Sequence, residues 1–277
     1  MTLVALCSLK GSPGVTTAAL GMAARWPSGE HPVVVECDPA GGDLLARFRL
    51  ETSPGLVSLA AAARRGAEPG LVWQHTQRLP GGLPVVAGPA RPEQACAALA
   101  QITGAGAAML RRAAARPGTV VVADCGRVGP GSPALEILRA ADVMLLLARS
   151  HDDALSHVAA DLDIAVRWSR HPCFVLVGDG YPTSEVAQTL GIEVMGRVPE
   201  DRNGAAALGG RPGRRTAPAQ SPLGRALARI AASAASRAFT PPGWEQKRAV
   251  DSPGSAFNSP PTVGQSTLQE SWERATR

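Results

Sequence analysis

The sequence predicts an α/β protein in which helices cover both faces of a mostly parallel, doubly wound sheet. Short apolar runs rich in β-branched residues alternate with longer alanine-rich segments of helical periodicity. The runs are continuously apolar, which indicates strands buried on both faces. The predicted strands are Leu3–Ser8, Pro32–Cys37, Leu83–Ala87, Thr119–Asp124, Val143–Ala148, Cys173–Val177 and Glu193–Arg197. The predicted helices are Thr16–Trp26, Gly55–Arg65, Pro92–Ala115, Ala134–Ala140, Asp152–Trp168, Thr183–Leu190 and Ser221–Phe239.

The composition is that of a globular protein without a transmembrane segment. Of the 277 residues, 45% are hydrophobic and 18% are charged, and no uninterrupted apolar run reaches the length of about 18 residues that a spanning helix needs. The first charged residue, Lys10, follows the N-terminal apolar run, which is the reverse of a secretion signal. The five cysteines are scattered and lie mostly in strand-like runs, which indicates reduced, buried thiols. We therefore expect a cytoplasmic protein.

Two segments differ in composition from the rest of the chain. Residues 240–277 have few aliphatic residues and many Pro, Ser and Gly, so they cannot bury enough apolar surface to offset their ordering entropy. We expect a disordered tail there, after one domain at residues 1–239. The basic, proline-rich segment Arg211–Ser221 predicts an exposed loop.

The stretch LKGSPGVTTAAL, residues 9–20, predicts a phosphate-binding loop. Gly11 and Gly14 follow a predicted strand and precede a predicted helix, the order in which backbone N–H groups and a helix N-terminus converge on an anion. Thr16 takes the position whose hydroxyl normally binds Mg²⁺. Val15 stands where such loops carry a lysine. The chain has only two lysines, Lys10 and Lys247, so the lysine retained within this loop is informative.

Two aspartates follow predicted strands. Asp38 lies in VVVECDPAGGDL and Asp124 lies in VVVADCG. Either residue alone also suits a turn or a loop cap. Open α/β sheets bind ligands at the carboxyl ends of their strands, so two such aspartates behind a glycine loop favour a ligand site.

These motifs resemble those of the deviant Walker A ATPases, the family that includes ParA, MinD and the CpaE/TadZ proteins of pilus assembly. The loop of that family reads Lys-Gly-Gly-x-Gly-Lys-Thr-Thr. The corresponding residues here are Lys10, Gly11, Ser12, Pro13, Gly14, Val15, Thr16 and Thr17. The first lysine is retained, whereas the second glycine and the second lysine are replaced. The resemblance extends over about residues 1–239 and implies a P-loop NTPase fold of the SIMIBI type.

The resemblance also implies ATP or ADP with Mg²⁺ as cofactors. It places the loop residues at the phosphates, with Thr17 at the α-phosphate. Thr16 and Asp124 become metal-binding residues, and Asp38 lies near both Mg²⁺ and the attacking water. Lys10 is then the signature lysine, which reaches across a nucleotide-sandwich homodimer to the phosphates bound by the partner.

Three further residues are assigned to the base by the same resemblance. The segment EVMGRVPED is similar to the family's turn beside the adenine, which places Pro199 and Asp201 there. Asp179, in FVLVGDG, occupies the position where the family often has an asparagine that reads the base.

The function implied is a nucleotide-responsive dimer that positions or regulates a larger machine, such as one for pilus assembly or secretion, with slow or absent hydrolysis. We expect a protein partner and a location that is cytoplasmic or peripheral to a membrane-bound machine. One alternative is an adaptor that has lost nucleotide binding. Another is a partition protein that binds DNA through a basic surface. The arginines available for that surface are Arg211, Arg214, Arg215, Arg225 and Arg229. Synthetases of the same fold are disfavoured because they need the loop lysine that Val15 replaces.

Overall fold

One eight-stranded sheet forms the centre of the part of the chain that the structure describes. The structure is a computed structural model and describes residues 2–27, 29–66, 68–104, 107–210 and 218–238. The strands are β1 (Thr2–Ser8), β2 (His31–Glu36), β3 (Gln77–Arg78), β4 (Pro84–Val86), β5 (Thr119–Arg127), β6 (Val143–Arg149), β7 (Pro172–Val177) and β8 (Val194–Val198). The helices are α1 (Val15–Ala24), α2 (Leu44–Phe48), α3 (Leu56–Ala63), α4 (Leu71–Gln74), α5 (Pro92–Gly104), α6 (Ala108–Ala114), α7 (Leu135–Ala140), α8 (Asp152–Ala165), α9 (Thr183–Leu190), α10 (Arg202–Leu208) and α11 (Pro222–Ala238).

The strand order is β3-β4-β2-β5-β1-β6-β7-β8. The short edge strand β3 pairs antiparallel with β4, and every other pairing is parallel. The register aligns both Leu6 of β1 and Glu36 of β2 with Asp124 of β5. The carboxyl ends of the three central strands therefore meet at one edge of the sheet.

Alternate residues of each strand face two separate apolar cores. In β1, Leu3 and Ala5 contribute to one core, whereas Val4 and Leu6 contribute to the other. Helices α3 to α9 pack on the first face, and α1, α2, α10 and α11 pack on the second. Both faces are covered, which confirms the predicted doubly wound α/β fold and explains why the strands read as uninterrupted apolar runs.

All seven predicted strands form, and β3 was not predicted because it has only two residues. The short helices α2, α4 and α10 were also missed, since four, five or seven residues hold at most two turns of the helical period. The prediction of one helix over Pro92–Ala115 is wrong. Helix α5 ends at Gly104 and α6 begins at Ala108. The intervening sequence carries Gly104 and Gly106, and glycine has a low helical propensity.

Some predictions fall on other parts of the chain. The predicted tail and its boundary at residue 240 lie outside the described residues, as do Arg211, Arg214 and Arg215 of the predicted loop. Residues Pro218–Gln220 form a short 3₁₀ helix. All five cysteines are free, and all but the half-buried Cys96 are buried. Among the described residues, no helix has both the length and the apolar character that crossing a membrane requires.

The side chain of Asp201 joins two helices at the far end of the sheet. Asp201 is the N-cap of α10, and its Oδ1 accepts a hydrogen bond from the backbone N–H of Gly204 at 2.8 Å. Its Oδ2 accepts a longer bond, 3.3 Å, from Leu223 in the first turn of α11. The bond from Gly204 is the main reason that the pKa of Asp201 lies below its usual range.

Replacing Asp201 by alanine should lower the free energy of unfolding at pH 7 by about 1–2 kcal/mol, because the cap of α10 is lost. Asp201→Asn should lose less, since an amide oxygen can still accept from Gly204. Folding lowers the pKa of Asp201, so its contribution is present above the unfolded-state pKa of about 3.9 and is lost as the pH falls through the folded-state pKa. The difference between Asp201→Ala and the parent should therefore shrink in acid. Urea denaturation across pH tests this, and a difference that grows below pH of about 3.9 contradicts it.

Candidate functional site

The candidate site lies where β1, β2 and β5 end. The glycine loop follows β1, Asp38 follows β2 and Asp124 lies near the end of β5. Three features of these segments determine whether a nucleotide and Mg²⁺ fit here: the backbone of the loop, the side chain at position 15, and the carboxylates.

The loop backbone is shaped to receive an anion. Gly11 and Gly14 have φ angles of 72° and 92°, which side chains other than glycine rarely adopt. An added Cβ on Gly11 would meet no atom within 4 Å, so open space lies in front of the loop. Gly14 is the N-cap of α1, whose first turn contains no acidic residue. The first N–H groups of this helix are therefore available to a phosphate.

Val15 contributes its backbone to this loop but not its side chain. The side chain is only 6% exposed and belongs to the same apolar core as Leu6 and Leu147. A lysine here would place an ammonium group at the phosphates, whereas the valine extends the core. The predicted nucleotide contact at position 15 is therefore restricted to the N–H group of Val15.

Asp124 is fully buried and only partly satisfied. Its Oδ1 accepts from the N–H of Gly126 at 3.2 Å, while its Oδ2 has no hydrogen-bond partner among the described residues. The Thr16 side chain hydrogen-bonds to the carboxyl and lowers its pKa. Burial has the larger, opposite effect, and the pKa rises to about 6. A buried, unpaired carboxylate oxygen beside a threonine hydroxyl fits a divalent cation.

Asp38 approaches the end of β5 because residue 126 is glycine. A Cβ on Gly126 would lie 1.9 Å from Oδ2 of Asp38. Oδ1 of Asp38 accepts from the N–H of Ala40 at 2.8 Å. Burial raises the pKa of this carboxyl, although the bond from Ala40 opposes the rise. The structure thus brings Asp38 and Asp124 together at the carboxyl ends of β2 and β5.

Within the described residues, no group of three or more His, Cys, Asp or Glu side chains forms a cluster that could hold a metal alone. Mg²⁺ in nucleotide sites keeps several waters and binds few protein carboxylates, with phosphates completing its shell. Thr16 and Asp124, with Asp38 nearby, are the residues that would hold it. The bound ion would neutralise phosphate charge.

Sequence reasoning missed Glu36, the last residue of β2. Its carboxyl is buried and accepts three backbone N–H groups, from Asp43 at 2.6 Å, Leu44 at 3.1 Å and Gly88 at 2.8 Å. Burial is the largest cause of the rise of its pKa to about 7, and the Asp124 charge adds to it. Glu36 thereby fixes the loop that carries Asp38. The available signal was a lone acidic residue at the end of a run of valines.

The three residues that the resemblance assigns to the base differ in exposure and in hydrogen bonding. Asp179 is exposed after β7, and its backbone carbonyl accepts from the Ser150 hydroxyl at 2.8 Å. Pro199 is half-buried after β8. The Asp201 carboxylate is already engaged by α10 and α11, so it can reach a base only by giving up those bonds.

Ser150 and Arg197 tie the base-side strand ends together and were not predicted. The guanidinium of Arg197 donates to the Ser150 hydroxyl at 2.7 Å and to the carbonyl of Gly178 at 2.5 Å. The same side chain also donates to the carbonyl of Tyr181.

Lys10 is exposed and points to a helix of its own chain. Its ammonium group contacts Nε2 of His157 in α8. Because the side chain lies against α8, it does not line the front of the glycine loop.

The chain matches no protein-family model and no curated protein. Its structure is nevertheless similar to three solved ATPase structures. The ParA family ATPase of Chlorobium tepidum is 17% identical with a TM-score of 0.67, over 83% of this chain and 98% of that one. The cell division ATPase MinD of Pyrococcus furiosus is 17% identical with a TM-score of 0.66, over 85% and 98%. The septum site-determining protein MinD of Pyrococcus horikoshii, complexed with Mg-ADP, is 15% identical with a TM-score of 0.65, over 84% and 95%.

At these identities the likeness establishes the fold. This chain has the fold of the ParA and MinD ATPases.

Proposed function

We propose that this chain is a nucleotide-dependent dimeric switch of the ParA/MinD kind, with slow or absent ATP hydrolysis. It positions or regulates a larger assembly, such as a pilus or secretion machine of the CpaE/TadZ type. The observation that carries the proposal is the glycine loop at an uncapped helix N-terminus, facing a buried carboxylate oxygen that lacks a partner. This arrangement suits a phosphate and a divalent cation together.

The missing lysine need not abolish binding. A hydrogen bond to a charged group is worth about 1.5–3 kcal/mol, so the loss weakens a phosphate contact without removing the cradle. The backbone N–H groups of Gly11, Ser12 and Gly14 to Thr17, the α1 dipole and the metal all remain as partners for the phosphates. The binding role of the loop is therefore kept.

Hydrolysis is affected more strongly. Phosphoryl transfer depends on charges aimed at the transition state, and loss of one such donor costs roughly 10²–10³-fold in rate. Val15 removes a charge of that kind. Asp38 stays at the position suited to orient a water, so the machinery for positioning survives better than that for charge stabilisation.

The exposed Lys10 supports dimerisation around the nucleotide. In the resembled family the signature lysine acts across the dimer. Here it is one of only two lysines in a chain with 28 basic residues. Its position beside the loop, outside the core, leaves it free to exchange His157 for the phosphate of a second copy.

Two alternative functions require different structural features. An adaptor without nucleotide explains Val15 but leaves the Asp124 oxygen unpaired. A partition protein needs a basic DNA-binding face. Arg225 and Arg229 lie one turn apart on the exposed side of α11, which supports such a face.

Mg-ATP and Mg-ADP should bind with a Kd in the micromolar-to-millimolar range, about −8 to −4 kcal/mol, because the backbone cradle and both aspartates are retained. Titration calorimetry with and without Mg²⁺ measures this. Asp124→Asn should weaken only the Mg²⁺-dependent part, and Asp163→Asn, an exposed acid on α8, is the control. No heat and no thermal shift with millimolar nucleotide would establish the adaptor alternative.

Val15→Lys should raise ATP turnover by up to about 10²–10³-fold, because it restores a charge at the terminal phosphates. The lysine stem can replace the valine against the core while its ammonium group reaches the loop. Steady-state phosphate release measures the change. Val15→Met is the control for side-chain length without charge. Equal turnover of the two variants contradicts the view that the missing charge limits hydrolysis.

Lys10→Ala should weaken nucleotide-dependent dimerisation and leave nucleotide binding by the monomer little changed. Sedimentation velocity with and without ATP separates the two effects, and Lys247→Ala is the matched lysine control. The sandwich-dimer mechanism is wrong if Lys10→Ala dimerises as well as the parent, or if the parent stays monomeric with ATP.

A further inference from the structure

One cation beside the candidate site has no role in the functions described above. Arg127 is the last residue of β5, three positions after Asp124. It pairs in register with Ser8, and the N–H of the next residue, Val128, donates to the carbonyl of Ser8 at 2.9 Å. Because Ser8 ends β1, Arg127 is fixed beside the start of the glycine loop.

The surroundings of Arg127 leave its guanidinium accessible. The side chain is exposed and lines a cleft of about 170 Å³ together with Leu9, the residue before Lys10. The opposite wall of the cleft comes from the α8 side, including Asp161 and Ile164. Within the described residues Arg127 forms no ion pair and no side-chain hydrogen bond, and Asp161 is not within salt-bridge distance.

Three other cations around the strand ends are already engaged. Arg149 at the end of β6 pairs with Glu200, and Arg197 in β8 is held by Ser150 and two carbonyl groups. Lys10 contacts His157. The guanidinium of Arg127, beside the start of the glycine loop, is unengaged within the described residues.

We propose that Arg127 binds the terminal phosphates of a nucleoside triphosphate and supplies the positive charge that Val15 removes. This inference rests on the proposed nucleotide-binding function. Arg127 follows Gly126, whose missing side chain admits the carboxylate of Asp38. The arginine therefore starts from the same corner as the two carboxylates that face the metal.

The chemistry of arginine suits this task. A guanidinium is always charged and can donate two parallel hydrogen bonds to phosphate oxygens. The Arg127 side chain is exposed and, within the described residues, gives up no ion pair and no side-chain hydrogen bond when it turns toward a ligand. A charge that arrives from β5 can bind the phosphates but occupies a different position from a loop lysine, which agrees with retained binding and slow hydrolysis.

The position also predicts selectivity among nucleotides. The α1 N-terminus and the loop amides serve phosphates common to ADP and ATP, whereas Arg127 extends from the strand that carries Asp124 and directly follows Gly126, which Asp38 approaches. Removing the charge of Arg127 should therefore lower the affinity for a nucleoside triphosphate more than the affinity for a diphosphate.

The test is titration calorimetry of the full chain with Mg²⁺ and either a non-hydrolysable ATP analogue or ADP. Arg127→Ala should weaken binding of the analogue by about 10- to 100-fold, the range of one charged hydrogen bond. The same variant should weaken binding of ADP by no more than about threefold. Arg127→Lys should recover part of the lost affinity for the analogue. Arg149→Ala, at the corresponding last position of β6, should leave both affinities nearly unchanged.

Thermal melts of the variants, compared with the parent, exclude unfolding as the cause of a lost affinity. Unchanged affinity of Arg127→Ala for the analogue overturns the inference, and so does an equal loss for ADP and the analogue or an equal effect of Arg149→Ala. In each of these results nucleotide binding by the parent still stands. If the parent binds neither nucleotide, the proposed function fails and the role of Arg127 fails with it.

Discussion

Parallel pairing of β2, β5 and β1 is the constraint on which the rest of the site depends. The N–H of Cys37 donates to the carbonyl of Asp124 at 2.7 Å, and this bond continues the β2–β5 ladder just past Glu36. A slip of one residue would turn every side chain of a strand to the opposite face. The register therefore determines at once that Asp124 meets α1 and that Glu36 can hold the Asp38 loop.

The same edge concentrates negative charge. Glu36 is neutralised in effect by three backbone N–H groups, but Oδ2 of Asp124 has none, and an unsatisfied buried group costs about 1–3 kcal/mol. Val15 adds no charge to offset it, and the charge of Arg47 lowers the pKa of Asp124 less than burial raises it. The nucleotide-free site thus carries an excess of negative charge, which a bound divalent cation would neutralise.

Much of the fold was readable from the sequence, because fully buried parallel strands leave long apolar runs. Candidate-site residues could be predicted where they are close together in the sequence, as with Gly11, Gly14 and Thr16 directly after β1. Contacts between segments that are distant in the sequence could not be predicted. Arg197 and Ser150 are 47 residues apart and Glu36 and Gly88 are 52 apart, so only the folded sheet reveals these partners. Asp201 illustrates the same limit, since the motif that suggested a contact with the base gave no sign that its carboxylate caps α10.

The burial of Val15 also bears on the protein without its ligand. A lysine in an empty phosphate loop holds an ammonium group against the positive end of a helix, which is unfavourable until an anion arrives. Val15 removes that repulsion, and full burial of a valine adds about 1.5–3 kcal/mol to the core. The ligand-free chain is consequently more stable than the same chain with an uncompensated lysine at this position would be, and it depends less on a bound nucleotide for that stability.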